Sequence, residues 1–402
     1  MVYKTSSKGN EFEQKYHLST SFFEKLKVLV AHLSYSTNTP WSALPWKNQC
    51  APLVWKYKWQ FPWLEWVNPS MSHYSGLIGV PKSEINRHLV SKFMPISVLV
   101  EQKMSLENFL AFLKKYKLSF PIICKPNAGE RSTGVYFIQN GSELSQFIAT
   151  APDEPFLVQE FLGQKKEFGI VMVRKSVSSN EFSVFSCVEK QARRVIGDGK
   201  STIQALVEQL PIAVAQRQKI LLSLSEDEKQ TVLPVNEERK IARMASVSLG
   251  TVFVNRQDEV TPALEKSLSA ALVNYQGFNV GRFDIMADSL ADIEKENYKI
   301  IELNGVGATP LTIYELDRSV ESVYEQLENY YDLLLEWGRK NASKKRLSIV
   351  DYWHFLRSVY PAVKQQKTSD LVRKLEKQNF KILFYNWWKF EKNGRRNGRE
   401  NS

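Results

Sequence analysis

Two short segments carry the residue types from which a metal site can be built. They are Arg282-Phe-Asp284 and Glu302-Leu-Asn304. In an extended strand alternate residues lie on the same face, so the two polar side chains of each segment share a face. If the two strands are neighbours, Asp284, Glu302 and Asn304 surround one point with the oxygen ligands that Mg²⁺ prefers. The alternative, from these residues alone, is a solvated sheet face with an Arg–Asp pair.

A lysine at the end of an apolar strand leads into a turn of small residues. Lys125 ends the run that starts at Phe120, and Pro126-Asn-Ala-Gly-Glu-Arg-Ser-Thr-Gly134 follows it. Backbone N–H groups of such a turn can surround phosphate oxygens while the ammonium group neutralises their charge. Many strand-to-turn junctions look similar, and the segment is not a Walker loop because no Gly-Lys-Ser/Thr follows the glycines.

A third segment has the pattern of a strand that binds a nucleoside. Gln159-Glu-Phe-Leu162 ends an apolar run from Phe156, and Glu167 follows five residues later. An extended backbone of this kind can hydrogen-bond to the edge of adenine, and a carboxylate can accept hydrogen bonds from ribose hydroxyls. On its own, the segment is equally typical of a buried strand followed by a surface glutamate.

Taken in order, these segments resemble the motifs of the ATP-grasp superfamily, in its carboxylate–amine ligase branch. The matching series is Lys125 with its turn, Gln159–Leu162, Glu167, Lys190, Gly197-Asp-Gly-Lys-Ser-Thr202, Arg282–Asp284 and Glu302–Asn304. The chain is similar to D-alanine–D-alanine ligase and cyanophycin synthetase. It looks closer still to uncharacterised bacterial ligase-like proteins with Lys-Pro-x-x-Gly-Glu-Arg and Glu-Leu-Asn-Gly-x-Gly-Ala segments. The resemblance covers residues 80–335 and implies an α+β ATP-grasp fold, in which two lobes clasp the nucleotide.

The resemblance also implies a role for each matching residue. The implied ATP-binding set is Lys82, Lys125, Arg131, Ser132, Thr133, Gly134, Gln159, Glu160, Phe161, Leu162, Glu167 and Lys190. Within this set, Arg131–Gly134 would close over the phosphates, the backbone of Glu160 and Leu162 would bind adenine, and Glu167 would bind ribose. Lys92 competes with Lys82 for the place of the N-terminal nucleotide lysine. The implied catalytic residues are Arg282, Lys190 and Ser132. Asp284, Glu302 and Asn304 would hold two Mg²⁺ ions, with Mn²⁺ as the alternative metal.

The implied reaction is formation of an amide bond between a small carboxylate and a small amine, through an acyl phosphate, with release of ADP and phosphate. Such ligases are often dimers, so a homodimer is expected. The identity of the substrates is not indicated, because Pro81-Lys82 replaces the usual Asp-Lys pair and Glu237–Thr251 replaces a family segment near the substrate. The second hypothesis is a catalytically silent ATP-binding scaffold or sensor, acting at a membrane surface or on a protein partner.

Composition restricts the class of protein. The 402 residues are 43% hydrophobic and 24% charged, which is typical of two or three globular units. The N-terminus has no apolar core of a secretory signal, and the three cysteines are widely spaced, so a reducing, cytoplasmic location is expected. The predicted organisation is an aromatic-rich region over 1–80, ATP-grasp lobes over 81–158 and 159–340, and a basic helical tail over 341–402.

Charge and tryptophan are concentrated at the ends of the chain. Residues 341–402 contain 15 basic and 5 acidic residues, whereas the remainder contains 39 and 38. All ten tryptophans lie within 41–66 or from 337 onwards. One interpretation of the tail is a solvated helix face. The other is a surface that binds the inner face of a membrane with anionic lipids, because Lys381–Phe390 combines aromatic rings with cations. Nucleic acid is disfavoured as a partner, because nothing beyond charge indicates it.

Hydrophobic periodicity predicts the elements that must position these residues. Helical spacing is present at 83–92, 105–116, 202–209, 319–339, 349–359 and 371–390. Strand-like runs are present at 120–125, 135–138, 156–159, 168–173, 182–188, 279–286 and 298–304. Strands that follow one another as hairpins, mixed with helices, indicate an α+β fold.

Overall fold

The computed structural model describes residues 56–357, apart from a few internal positions. Those positions are 58, 78, 129–133, 152, 164, 211, 213, 243, 244, 246–248, 316, 317, 319, 344, 345 and 356. The predicted helix at 371–390, most of the basic tail and the tryptophans at 41–55 and 387–388 therefore lie outside the described residues.

The described strands form antiparallel sheets, and the architecture is α+β, as predicted from the sequence. The strands are β1 (Ser97–Val100), β2 (Ile122–Pro126), β3 (Tyr136–Ile138), β4 (Phe156–Glu160), β5 (Lys166–Arg174), β6 (Phe182–Gln191), β7 (Arg194–Ile196), β8 (Glu238–Lys240), β9 (Val252–Asn255), β10 (Val280–Ala287) and β11 (Lys299–Asn304). A four-stranded sheet has the order β1-β4-β2-β3, a five-stranded sheet has the order β11-β10-β5-β6-β9, and β7 pairs with β8.

Nine helices and one further helical segment are present among the described residues. They are α1 (Lys82–Asn86), α2 (Leu106–Lys115), α3 (Gly141–Thr150), α4 (Ile203–Glu208), α5 (Val214–Ser223), α6 (Glu226–Gln230), α7 (Pro262–Ala271), α8 (Leu290–Glu294) and α9 (Val320–Asn341), with residues 349–355 also helical. Side-chain caps fix several N-termini: Ser105 accepts from the Asn108 backbone, and Thr261 accepts from that of Leu264 before Pro262 starts α7.

The five-stranded sheet is buried on both faces, and β5 shows how the sequence divides between them. Phe168, Ile170 and Met172 pack into a core that includes residues of α7 and α8. Val171 and Val173 point the other way, into a core that α9 covers. This division follows from the two-residue period of a strand. In α9, Val323, Leu327, Tyr330, Leu334 and Trp337 are buried, which is helical spacing.

A segment before α1 is joined to both β10 and the loop after β11. His73, Tyr74 and Ser75 have φ values of 54°, 56° and 56°, and Gly76 continues with 76°, so the chain makes one left-handed turn. Non-glycine residues rarely adopt this conformation because it costs roughly 1–2 kcal/mol per residue. The Ser75 and Gly76 carbonyls accept hydrogen bonds from the backbone N–H groups of Val306 (3.0 Å) and Gly307 (3.1 Å).

Asn68 is the polar centre of this junction. It is fully buried, and its Oδ1 accepts hydrogen bonds from the backbone N–H groups of Asn279 (2.7 Å) and Val280 (3.0 Å). Its Nδ2 donates to the Val280 carbonyl at 2.8 Å, and its backbone N–H donates to Ser75 Oγ at 2.8 Å. Asn68 therefore connects the left-handed turn to the first residue of β10.

Most predicted elements are present, and the differences are local. The helix predicted over 83–92 is shorter: α1 ends at Asn86 and a 3₁₀ turn follows at Ser91–Phe93. Strands β1, β7, β8 and β9 and helices α3, α5, α6, α7 and α8 were not predicted; most are short. None of the described helices is both long enough and apolar enough to cross a bilayer.

Candidate functional site

One face of the five-stranded sheet changes from apolar to charged along its strands. On β10, Val280 lies in the core under α9, and the next residues on the same face are Arg282 and Asp284. The intervening residue, Phe283, lies in the opposite core. The charged end of this face is the candidate site.

Antiparallel pairing of β10 with β11 brings the two predicted segments together. Arg282 lies directly opposite Asn304, and Asp284 lies directly opposite Glu302. The strands are therefore neighbours, which is the condition that the predicted metal set needed. Because directly opposite residues share a face, the three oxygen-bearing side chains lie side by side.

Lys190 lies between two carboxylates at the centre of the site. Its Nζ is 2.6 Å from Glu167 Oε1 and 3.0 Å from Asp284 Oδ1. Arg282 contacts the same oxygen of Asp284, with Nε 3.1 Å from Oδ1, and its Nη1 donates to the Thr309 carbonyl at 3.2 Å. These side chains are mostly buried, so their charges interact strongly.

Burial and charge oppose each other in this cluster. Burial alone would raise the pKa of Asp284, but Arg282 and Lys190 outweigh it and hold the pKa below its ordinary value. Burial would lower the pKa of Lys190, yet Asp284 and Glu167 outweigh it and raise the pKa. For Glu167 burial dominates and raises the pKa, which Lys190 offsets in part.

Two more lysines reach the site from outside the five-stranded sheet. Lys125, on β2, donates through Nζ to Gln159 Oε1 at 3.0 Å and to the Ile301 carbonyl at 2.9 Å. Lys82, in α1, has its Nζ 3.4 Å from Glu302 Oε1. Burial lowers the pKa of Lys125 to about 8, although Glu302 acts in the opposite direction.

Lys92, the competitor of Lys82, lies elsewhere. Its Nζ is 2.6 Å from Glu296 Oε2, and both side chains are exposed. The structure thus brings Lys82, and not Lys92, to Glu302 on β11.

The segment predicted to bind adenine makes hydrogen bonds within the protein. The backbone N–H of Glu160 donates to the Ile96 carbonyl at 2.9 Å, and Glu160 Oε1 accepts from the Ile96 N–H at 2.8 Å. Phe161 is partly exposed, and its ring lies edge-on to that of Phe137 at 4.9 Å. Leu162 is the second residue after the end of β4. Adenine binding by Glu160 and Leu162 remains a prediction.

For the other predicted residues, the structure either describes contacts outside this cluster or does not describe the residue. Arg131, Ser132 and Thr133 are not among the described residues, so the predicted phosphate lid and the catalytic role of Ser132 remain predictions. Gly134 follows with φ of 71°. The Gly197–Thr202 motif is a turn in which Asp198 accepts from the backbone of Lys200 and Ser201, and Thr202 caps α4.

The donor set at β10 and β11 fits a hard cation. Asp284 and Glu302 supply carboxylates, and Asn304 supplies an amide whose buried Nδ2 has no hydrogen-bond partner among the described residues. Among the described residues, no group of three or more His, Cys, Asp or Glu side chains is placed to bind a metal ion. The set at β10 and β11 has only two carboxylates, and its third member is an amide. Three protein ligands leave the other positions of an octahedron for water and phosphate oxygens, which is usual for Mg²⁺.

Two residues that shape the site were not predicted. Gly169 lies opposite Asp284 on β5, and a Cβ atom there would be 3.3 Å from Lys190 Cε and 2.4 Å from Leu311 Cδ1. A glycine inside an apolar strand is the signal that could have indicated it. Asn127 holds α1 in place: its carbonyl accepts from the Lys82 N–H at 2.8 Å, and its Oδ1 accepts from the Ser83 N–H at 2.9 Å.

Comparisons with known proteins give matches among solved structures. No family model matches the sequence, and no curated protein matches it. D-alanine–D-alanine ligase from Bacillus anthracis matches 65% of this chain and 67% of its own, with 15% identity and a TM-score of 0.38. A bifunctional glutathione synthetase from Pasteurella multocida matches over 65% and 37%, with 16% identity and a TM-score of 0.38.

The Bacillus anthracis D-alanine–D-alanine ligase complexed with ATP matches over 61% of each chain, with 14% identity and a TM-score of 0.35. The chain therefore spans less than two thirds of the synthetase and of the ATP complex. TM-scores this low do not establish a shared fold.

Proposed function

We propose that the protein is an ATP-dependent carboxylate–amine ligase of the ATP-grasp type. The observation that carries the proposal is the register of β10 and β11, in which Arg282 faces Asn304 and Asp284 faces Glu302. Lysines from outside this strand pair converge on the same place, which gives a mixed set of cations and oxygen ligands suited to a polyphosphate.

The proposed reaction has two steps. A carboxylate oxygen of the first substrate attacks the γ-phosphorus of ATP, the bond to the bridging oxygen breaks, and ADP and an acyl phosphate form. The amine nitrogen of the second substrate then attacks the acyl carbon. The carbon–oxygen bond to phosphate breaks, the nitrogen loses its proton, and an amide and phosphate are the products.

Repulsion between the attacking carboxylate and the phosphate is the main barrier that the site must lower. In this proposal Lys125 and Lys190 supply positive charge, and Arg282 would contact the transferred phosphoryl group. Arg282 is already fixed by Asp284 and Thr309, so little reorganisation is needed when charge develops. Mg²⁺ bound by Asp284, Glu302 and Asn304 would add positive charge at the phosphate oxygens.

Calorimetric titration with ATP, with and without Mg²⁺, tests the nucleotide site. We expect Mg²⁺-dependent binding by the wild type and its loss in Lys125→Ala, with the thermal transition of the variant confirming that it folds. Failure of the wild type to bind ATP under both conditions would reject the proposal.

Phosphate release during a screen of amino acids and small carboxylates with amines then tests the chemistry. Release that requires both a carboxylate and an amine supports the ligase. ATP binding without turnover for any pair favours the alternative, an ATP-binding scaffold or sensor.

A further inference from the structure

The helix at 349–355 has apolar side chains on the side that faces away from the protein. Ile349, Val350 and Trp353 are 65%, 70% and 66% exposed, whereas Phe355 is 2% exposed. At roughly 100° per residue, the three exposed side chains fall within an arc of about 100°, and Phe355 lies nearly opposite its middle. A helix that packs on one side normally has polar residues on the other.

Aromatic contacts fix the orientation of this helix. The ring of Phe355 stacks on Phe61 at 6.1 Å and lies edge-on to Tyr74 at 5.5 Å. Tyr352 contacts Trp59 at 5.2 Å. Trp59 is itself 63% exposed, so it extends the apolar surface across a second segment. We name the surface formed by Trp59, Ile349, Val350 and Trp353 the aromatic patch.

Basic residues precede and follow the aromatic patch in the sequence. Arg346 and Arg357, one before and one after the exposed side chains, are both exposed. The 62 residues from 341 onwards carry a net charge of +10 and include the segment Lys381-Ile-Leu-Phe-Tyr-Asn-Trp-Trp-Lys-Phe390. Tryptophan prefers the boundary between lipid headgroups and acyl chains, and each Lys or Arg near an anionic surface adds attraction.

We infer that the aromatic patch docks on an anionic lipid surface. Charge favours an anionic lipid surface over a second copy of the protein and over the chain's own tail. A second copy would bring an equally basic segment against the first, and the chain's own tail carries the same sign of charge as the arginines beside the patch. An anionic bilayer complements both the apolar side chains and the cations. The inference does not depend on the ligase proposal.

Vesicle sedimentation with the full-length protein tests the inference. The vesicles are phosphatidylcholine alone and phosphatidylcholine mixed with phosphatidylserine. The patch variant is Ile349→Ser with Trp353→Ser. The control variant is Val177→Ser with Leu222→Ser, because these residues are 64% and 66% exposed in other parts of the protein. Thermal unfolding of both variants checks that each is folded.

We expect the wild type and the control variant to bind phosphatidylserine vesicles, with weaker binding to phosphatidylcholine alone and at high salt. The patch variant should bind about tenfold more weakly, because binding scales with the buried apolar area. Absence of wild-type binding to phosphatidylserine vesicles would overturn the inference, as would equal binding by the patch variant and the wild type. A patch variant that changes the oligomeric mass in light scattering while vesicle binding is unchanged would overturn it in favour of a second copy.

Discussion

Lys125 donates a hydrogen bond through Nζ to the backbone oxygen of Ile301 over 2.9 Å, and this bond joins the two larger sheets. Ile301 lies where the β10–β11 register shifts, so it has no direct partner on β10. The ammonium group of Lys125 is thereby held between the sheets. Burial raises the free energy of its charged form and so lowers its pKa. Such a cost is typical of a residue that a ligand needs.

Replacing Lys125 with methionine should stabilise the ligand-free protein and abolish ATP binding. A Lys125 pKa lowered from the ordinary 10.5 to about 8 means that the buried charge destabilises the folded protein by roughly 3 kcal/mol at pH 7. Methionine removes this cost, but loss of the two Lys125 hydrogen bonds offsets part of the gain. We expect a net gain of about 1–3 kcal/mol in urea unfolding. Lys114→Met, at an exposed position, should change stability little.

The stability difference should depend on pH in a defined direction. Between pH 8 and pH 10.5 the unfolded wild-type chain binds the Lys125 proton more tightly than the folded protein does. Wild-type stability therefore rises with pH relative to Lys125→Met across this window, and the advantage of methionine shrinks. Urea unfolding of both proteins at pH 7 and pH 9.5 measures it; a constant difference would contradict the lowered pKa.

Glu302→Gln should remove the Mg²⁺-dependent activity and leave the fold intact. Glutamine keeps the shape but removes a charge that faces Asp284 and pairs with Lys82. ATP-dependent phosphate release should fall by about 10²-fold or more. The matched control is Glu296→Gln, which removes the carboxylate that pairs with Lys92. Undiminished release in Glu302→Gln would refute the metal assignment.

Lys82 and Lys92 should differ in their importance for ATP. Lys82→Ala removes the cation beside Glu302 that we propose contacts the ATP phosphates. A hydrogen bond to a charged group contributes about 1.5–3 kcal/mol. We expect ATP affinity to fall by roughly 10–100-fold. Lys92→Ala should bind ATP as the wild type does, because its partner is an exposed glutamate away from the site. Calorimetry on the two variants measures the contrast.

Asn68→Ala should destabilise the protein by about 3 kcal/mol or more, because it leaves buried N–H groups of Asn279 and Val280 without their acceptor. Chemical unfolding of the variant measures the loss. Asn108→Ala, on the exposed face of α2, is the control and should be neutral or slightly stabilising because alanine favours helix. Equal effects of the two substitutions would show that Asn68 has no special structural role.

Part of the site could be predicted because the signal is local. The alternation in Arg282-Phe-Asp284 requires the two charged side chains to share a face in any strand. That Asp284 would lie opposite Glu302 could not be predicted, because strand order and register depend on packing between distant segments. The register shift at Ile301, which presents a carbonyl to Lys125, has no local signal either.

The junction before α1 was outside the reach of sequence patterns for another reason. Turns with positive φ are predicted from glycine or asparagine, and His73, Tyr74 and Ser75 are neither. The conformation is held by hydrogen bonds to Asn68, a few residues earlier, and to the loop after β11, which lies far away in the sequence. Asn68 itself is followed by Pro69, which predicts a turn and not a buried hydrogen-bonding centre.

Gly305 limits how this protein can be re-engineered or can diverge. A Cβ atom at Gly305 would lie 2.1 Å from the Ser75 carbonyl oxygen and 2.8 Å from Gly76 Cα. The residue that follows Asn304 is thus matched in shape to a turn more than 200 positions earlier in the chain. Exchanging the first 80 residues for those of another protein would need a compensating change beside the metal ligands, so the two segments are expected to be inherited together.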